Sequence, residues 1–265
     1  MSTNLIFDAP ESVRIVQARQ DFLQRLIPGL QQRLGLKTAL DVGCGVGYFS
    51  KFLHEAGFRV SAFDGRKENI EEAQRRVPNV EFYHADAEDP FLPNLVSFDL
   101  VLCTGLLYHL ENPFRAIRNL HGLTGKILLL ESMCVPEDAP LLYLMEEAKV
   151  EDQGMNYIAF YPSEGCLIKM LYQAGFSSVY RFGYLPDHKD FRATPARKRA
   201  RTVLAASKVR LEMPTFVLAK EPENPSDPWS TARPGPPSVR ERASFFLRRP
   251  WPEKLRAIRR FVRAS

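Results

Sequence analysis

Two hydrophobic patterns alternate along the first half of the chain. Short apolar runs rich in β-branched and aromatic residues, which are typical of strands, occupy residues 38–42, 59–63, 80–83, 98–103 and 126–131. Helical stretches separate them at 48–56, 67–76 and 114–123. Alternation of strands and helices predicts a parallel sheet with right-handed crossovers and with helices on both faces.

Further elements flank this alternating core. Apolar residues that recur near helical spacing predict an opening helix over 11–34, which Pro28 kinks or divides. The later elements are a helix at 163–174 and strands at 179–182 and 215–219. The sequence therefore predicts an α/β fold with a seven-stranded, mostly parallel sheet, preceded by an N-terminal helical segment over 1–35.

The character of the chain changes from residue 221 onwards. Eight of its 20 prolines lie in the last 45 residues, which predicts a Pro-rich linker over 221–252. Residues 253–265 place Leu255, Ile258 and Val262 along one helical stripe, with arginines elsewhere on the surface. This pattern predicts a basic amphipathic tail helix after a globular domain over 36–220.

Charge is distributed unevenly along the 265 residues. Residues 1–186 hold 17 Lys/Arg and 23 Asp/Glu, whereas residues 187–265 hold 19 and 8. The halves therefore carry net charges of −6 and +11, within a total of +5. The excess of basic charge belongs to the C-terminal extension, and the composition of the rest is that of an ordinary globular domain.

Neither the ends of the chain nor its cysteines indicate export. The first residues show no basic segment followed by an apolar run, so we expect a cytoplasmic protein. Cys44, Cys103, Cys134 and Cys166 lie far apart and without zinc-ligand spacing, which predicts four buried free thiols. We expect no metal site.

A glycine-rich turn follows the first predicted strand, in the stretch ALDVGCGVGYFS. Ser50 and Lys51 stand in the wrong order and at the wrong spacing for a phosphate-binding Walker loop. A dinucleotide-binding turn would need glycine where Tyr48 stands. Asp64 ends the second strand, where a carboxylate can accept hydrogen bonds from two ribose hydroxyls. The pattern favours a nucleoside without a pyrophosphate.

Three motifs together, LDVGCGVGYFS, Asp64 after the second strand and HADAEDP after the third, resemble the class I S-adenosylmethionine-dependent methyltransferases. The resemblance covers roughly residues 36–130 and implies a Rossmann-like fold with S-adenosylmethionine (SAM) as cofactor. It implies that the glycines admit the methionine part, that Asp41 holds its amino group and that Asp64 holds the ribose. The cofactor-binding set that it implies is Asp41, Gly43, Cys44, Gly45, Gly47, Asp64, Gly65, Asp86, Ala87 and Thr104.

The segment CTGLLYHLENP follows the fourth strand, at the sheet edge where open α/β folds bind ligands. His109 has the side chain to take a proton from a hydroxyl acceptor, and Tyr108 to orient a substrate. The alternative for His109 is a structural position in the turn before the next helix. We predict that both residues are catalytic and leave that alternative open.

An insertion over about 132–162 is expected to cover the substrate. Its Met133, Met145, Met155, Tyr143 and Phe160 either wall an apolar acceptor pocket or pack against the sheet. Asn156, Tyr157 and Tyr161, near a predicted loop, are the predicted substrate-binding residues.

The segments GLLYHLENPFRAI and YIAFYPSEGCLIKMLYQAGF narrow the resemblance. They are similar to a branch with sugar and natural-product methyltransferases and with the enzyme that completes oxyacetic acid modification of the tRNA wobble uridine. That tRNA enzyme uses a carboxylated cofactor, for which no basic partner can be assigned from the sequence. The predicted function is therefore methyl transfer to a hydroxyl of a small molecule or glycan, with an RNA-modifying methyltransferase or carboxymethyltransferase as the alternative.

Two basic segments carry the predictions about macromolecular partners. The stretch RATPARKRAR at 192–201 and the basic C-terminus motivate RNA contact. For the tail helix we favour peripheral contact with an anionic membrane surface over RNA contact or packing onto the domain. The cofactor motifs are intact, which argues against a non-catalytic scaffold.

Overall fold

The structure is a computed structural model that describes residues 6–92, 96–135, 137, 139–149, 154–194 and 198–223. The predicted tail helix over 253–265 and the linker from residue 224 lie outside the described residues. Within the described part, no helix has a stretch that is both long and apolar enough to cross a bilayer.

An eight-stranded mixed sheet forms the centre of the domain. Its strands lie in the order β10-β8-β9-β5-β4-β1-β2-β3. β1 pairs in parallel with both β2 and β4, so the winding direction reverses beside β1. In open α/β sheets, ligands bind outside the carboxyl ends of the strands at such a switch point. The strands are β1 Thr38–Val42, β2 Arg59–Asp64, β3 Glu81–His84, β4 Phe98–Thr104, β5 Thr124–Met133, β6 Leu142–Glu146, β7 Ile158–Pro162, β8 Ser178–Phe182, β9 Arg201–Ser207 and β10 Phe216–Leu218.

Helices cover both faces of this sheet, as the strand–helix alternation predicts. One core joins α1, α2 and α3 to one face, and a second core joins α4 and α5 to the other. The helices are α1 Pro10–Leu34, α2 Tyr48–Glu55, α3 Lys67–Arg76, α4 Pro113–Leu123 and α5 Glu164–Ala174. The α/β, Rossmann-like class is confirmed.

The opening helix α1 begins and ends at residues suited to those positions. Pro10 occupies its first turn, where a missing N–H costs nothing, and Gly35 ends it in the left-handed conformation with φ 59°. The helix continues through Pro28 rather than dividing there. Packing of Phe22, Leu26 and their buried neighbours against the sheet stabilises this arrangement.

The predicted strand count of seven is short by one because β9 was not recognised. β9 runs antiparallel between β5 and β8, and the predicted strand at 215–219 is the edge strand β10, paired with β8. β9 begins at Arg201, at the end of the stretch interpreted as an RNA-binding segment. The buried apolar run VLAA makes β9 a core strand. Because basic residues stand directly before this run, its strand pattern is hard to see in the sequence.

The insertion contains a two-stranded hairpin, β6 and β7, which pair antiparallel outside the main sheet. We call it the covering hairpin. β6 is exposed along its whole length, whereas Ala159 of β7 is buried. Of the four cysteines, Cys44, Cys103 and Cys134 are buried, and Cys166 is half-buried rather than fully buried as predicted.

Candidate functional site

The turn between β1 and α2 is shaped by glycines. Gly43 and Gly45 have φ angles of 70° and 52°, a region that side-chain-bearing residues avoid. A Cβ on Gly43 would lie 2.8 Å from Leu106 Cδ2, and one on Gly45 would lie 3.2 Å from Phe7 Cε1. The turn therefore lets other groups approach its backbone closely, as expected for a ligand-binding turn.

Gly47 does not share this role. A Cβ there would meet Val77 at 3.3 Å and Ala73 at 3.4 Å, so its open side faces α3. Gly47 lines neither of the two cavities described below. Gly47 thus lies in close packing against α3, and its contact with the cofactor stays a prediction.

Asp64 is held at the end of β2 by three donors. Its Oδ2 accepts from the Gly45 amide at 2.9 Å, and Oδ1 accepts from the Arg66 amide at 2.9 Å and from Asn69 Nδ2 at 3.0 Å. A carboxylate offers about four acceptor positions, so these bonds orient the group and leave acceptor capacity. Asp64 thus joins the glycine turn to the start of α3 and also faces a cavity.

The first cavity encloses about 120 Å³ at the carboxyl ends of β1, β2 and β4. Eight of the predicted site residues line it, and the segment after β3 contributes Asp86 and Ala87. Asp86 Oδ1 accepts from the Glu88 amide at 2.9 Å, which fixes the turn in which it lies. The predicted residues that line this cavity are Gly43, Gly45, Asp64, Gly65, Asp86, Ala87, His109 and Asn156.

Asp41 lies beneath the glycine turn and lines neither cavity. Burial raises the pKa of Asp41 to about 7. The hydrogen bond that Ser50 Oγ donates to Oδ2 at 2.6 Å acts in the opposite direction and only partly offsets this effect. Among the described residues, Asp41 Oδ1 has no hydrogen-bond partner. Direct contact with the cofactor amino group stays a prediction.

A second cavity of about 390 Å³ adjoins the first and shares Phe7, Gly43, Gly45, Gly105 and His109 with it. α1, β4, β5, β7 and β9 all contribute residues to its wall. The predicted residues found here are Cys44, Thr104, Tyr108, Tyr161 and Met133, together with the shared ones.

His109 lies where the two cavities meet, in a short 3-10 turn after β4. Its Nδ1 lies 2.6 Å from Glu147 Oε1, and both side chains are largely buried. The Tyr108 ring lies 4.1 Å from the His109 ring and 5.9 Å from the Tyr161 ring. An imidazole, a carboxylate and two phenols therefore stand together beside the second cavity.

A buried charge cluster forms the far wall of the second cavity. Glu131 on β5 lies 2.8 Å from Arg19 and 3.1 Å from Arg201, and Arg201 also donates to Tyr108 Oη at 3.1 Å. Burial alone would raise the pKa of Glu131, but the two guanidinium groups hold it below its usual value. Asp190 Oδ2 also lies 3.8 Å from Arg201 Nε, so two cations face two carboxylates, and both arginines line the cavity.

The covering hairpin supplies the remaining wall of the first cavity through Gly154, Met155 and Asn156. Asn156 Nδ2 donates to Glu111 Oε2 at 3.0 Å. Tyr157, predicted to bind substrate, lines neither cavity; it has a φ of 54°, and its carbonyl accepts from the Glu147 amide at 2.9 Å. Its observed role is to shape the loop.

Four residues of the site escaped sequence reasoning. Phe7 lies before the helix, Arg19 lies on an otherwise amphipathic α1, and Glu147 follows an exposed strand. Arg201 was grouped with a basic run. The sequence did contain a signal for Arg201. It stands directly before an apolar stretch of strand length, which indicates that it is the first residue of a buried strand.

Part of the chain is similar in sequence to methyltransferases. Residues 40–126 match the family model described as a methyltransferase domain. The chain is 30% identical over 152 residues to the tRNA U34 carboxymethyltransferase of Pseudomonas savastanoi pv. phaseolicola, a match that covers 54% of this chain and 46% of that protein. The chain thus spans about half the length of the curated relatives it matches.

Solved structures show the same fold. The SAH-bound N-terminal domain of EvdMO1 superposes with a TM-score of 0.58 at 21% identity, over 69% of this chain and 79% of that one. Magnesium protoporphyrin IX methyltransferase (ChlM) from Synechocystis PCC 6803, with bound SAM, gives 0.51 at 22% identity, over 76% and 85%. These structures show the fold, and residues 40–126 are similar to a methyltransferase domain.

The residues of the first cavity fit SAM. The glycine turn leaves room for close approach, and Asp64 keeps acceptor capacity toward hydroxyl groups. The partnerless Asp41 Oδ1 beneath the turn is an acceptor suited to an ammonium group. SAM is the cofactor of the methyltransferase class that the sequence resembles.

Proposed function

We propose that this protein transfers the methyl group of SAM to a hydroxyl of a small-molecule or glycan acceptor that enters the second cavity. The observation that carries the proposal is the position of His109, which lines both cavities. A proton acceptor between the donor site and the acceptor site is what O-methylation requires.

The residues have distinct roles in this proposal. Asp64, Asp86 and the glycine turn hold the cofactor, which supplies a methyl group on a sulfonium. Tyr108 and Tyr161 orient the acceptor in the second cavity. As the hydroxyl oxygen bonds to the methyl carbon, the carbon–sulfur bond of the cofactor would break and S-adenosylhomocysteine would leave, while His109 takes the hydroxyl proton. Because Nδ1 contacts Glu147, we assign this proton transfer to Nε2.

The test begins with a mass-spectrometric screen of hydroxyl-bearing acceptors with SAM and the full chain. With an acceptor in hand, His109→Ala should lower kcat by about 10²–10⁴-fold and leave the affinity for S-adenosylhomocysteine (SAH) nearly unchanged. His54→Ala, on the exposed face of α2, is the matched control. Near-normal turnover of His109→Ala would assign His109 to a structural role.

A second candidate is carboxymethyl transfer to a tRNA nucleoside, which the names of the curated relatives suggest. Arg201 favours it, because this cation lines the second cavity and donates to Tyr108 Oη beside His109. A carboxylated cofactor needs such a partner. Calorimetry with SAM and with carboxylated SAM separates the candidates: a strong preference for the carboxylated form, lost in Arg201→Met, would favour the second.

A further inference from the structure

Glu147 is a buried carboxylate next to the proposed base. It follows the last residue of β6, and its side chain is 2% exposed. Its Oε1 lies 2.6 Å from His109 Nδ1, and its Oε2 accepts from the Gly154 amide at 2.9 Å. A carboxylate out of contact with water is costly unless it is paired and hydrogen-bonded. Among the ion pairs of the described residues, Glu147 has His109 as its partner.

The backbone around this contact is built for close approach. A Cβ on Gly154 would lie 2.6 Å from the His109 carbonyl oxygen and 3.0 Å from Glu147 Oε2. Any side chain there would push the loop away from the turn that carries His109. Because Gly154 has no side chain, the loop of the covering hairpin can contact the turn after β4 that carries His109.

We propose that Glu147 is the positioning residue for His109, an inference that rests on the proposed function. In this role the carboxylate would accept a hydrogen bond from Nδ1–H across the 2.6 Å contact, which would fix the ring orientation and select the tautomer whose Nε2 is the proton acceptor. It also stabilises the imidazolium that forms when the hydroxyl proton is taken. The acid stays ionised throughout, so one proton moves from acceptor oxygen to Nε2.

The substitution Glu147→Gln tests this proposal, because it should change which ring nitrogen of His109 carries the proton. The Gly154 amide donates to the oxygen at the Oε2 position, so the amide NH₂ of the glutamine must point at Nδ1. That NH₂ donates, which requires Nδ1 without a proton and places the proton on Nε2. The substitution therefore keeps the shape of the site and selects the wrong tautomer.

Kinetics give the first readout. Glu147→Gln should lower kcat by about 10–10³-fold, with KM for SAM within about threefold of wild type. In a His109→Ala background it should cause no further loss, because it acts through that ring. Glu146→Gln, an exposed neighbour on β6, is the matched control. Additive losses, or an unchanged kcat in the single variant, would overturn the proposal.

A second readout needs no acceptor and therefore separates this inference from the proposed function. In the full chain saturated with SAH and labelled with ¹⁵N-histidine, the His109 signals are identified by their loss in His109→Ala. The neutral ring should carry its proton on Nδ1 in wild type and on Nε2 in Glu147→Gln. A wild-type ring protonated on Nε2 would overturn the inference even if Glu147→Gln failed to fold. The expected tautomers with normal turnover of His109→Ala would instead reject the proposed function alone.

Discussion

The two cavities that meet at His109 are assembled in different ways. In the first, the donors to Asp64 lie no more than 19 positions away along the chain. In the second, Arg201 contacts Glu131 and Tyr108 across 70 and 93 positions. The first is built mainly from strand ends and the turns after them, closed by Phe7 and the covering hairpin, and the second from elements that meet only in the folded domain.

This difference decides what can be transferred from other proteins. The family model covers residues 40–126, which include the glycine turn, Asp64 and Asp86. Much of the second cavity, including Tyr161 and Arg201, comes from beyond that range. The cofactor is therefore suggested by the matched motifs, whereas much of the wall proposed to hold the acceptor lies outside the range of the family model.

The largest expected effect is in the first cavity. Asp64→Ala should weaken SAH binding by about 3–6 kcal/mol, because two charge-assisted bonds of roughly 1.5–3 kcal/mol each are lost. The loss of its bond to the Gly45 amide would also loosen the turn. Calorimetry with SAH measures the change, and Asp21→Ala on the exposed side of α1 is the control. Binding of NAD without any binding of SAH would contradict the assignment of the first cavity as a SAM site.

Arg201→Met should have the next largest effect, on stability. Removing one partner of a buried ion pair costs about 3–5 kcal/mol, and Tyr108 would also lose its donor. By contrast, Arg192→Met removes an exposed pair with Asp187 and should change the free energy of unfolding by less than about 1 kcal/mol. Chemical denaturation of both variants provides the measurement. Equal, small effects would place Arg201 on the surface with the rest of the basic stretch.

The sequence points to cavity-lining residues where chemistry and strand ends coincide. Asp64 and Asp86 were predicted because a carboxylate at the end of a parallel strand faces the ligand edge of the sheet. Gly47, which the resemblance places in the site, packs against α3, and Tyr157, predicted from its place near a loop, shapes that loop; their ligand contacts stay predictions. Glu147 could not have been predicted, because its contact with His109 depends on how the covering hairpin meets the end of β4.

The same limit applies to the basic stretch over residues 192–201. Arg199 and Arg201 pair with the buried Glu164 and Glu131, so their charges are largely neutralised inside the domain. The acidic partners of the two arginines lie 35 and 70 positions away along the chain. Local composition does not include these partners, so it makes both arginines look like surface charges. RNA contact by the whole stretch is therefore less well supported than its composition indicates.

The raised pKa of Asp41 gives a smaller effect with a defined sign. The carboxyl keeps its proton up to about pH 7 in the folded state but loses it near pH 4 when unfolded. The folded state binds more protons between these values, so this group's contribution to stability is present below pH 4 and is lost as pH rises to 7. Asp41→Asn should remove that loss, on the order of a few kcal/mol. Urea denaturation at pH 4.5 and 7 measures it, with Asp21→Asn as control; an identical pH dependence in Asp41→Asn and wild type would contradict the assignment.

The smallest expected effect concerns Phe7, which lines both cavities from outside the family match. Its neighbour Asp8 holds this segment in place through Arg76 and Tyr48, whose hydrogen bonds lower the pKa of Asp8 to about 2. Because Phe7 is only half-buried, Phe7→Ala should weaken SAH binding by about 1 kcal/mol, or roughly fivefold. Val13→Ala on the exposed face of α1 is the control, and calorimetry the measurement. An unchanged affinity for SAH, with an altered KM for the acceptor, would assign Phe7 to the second cavity alone.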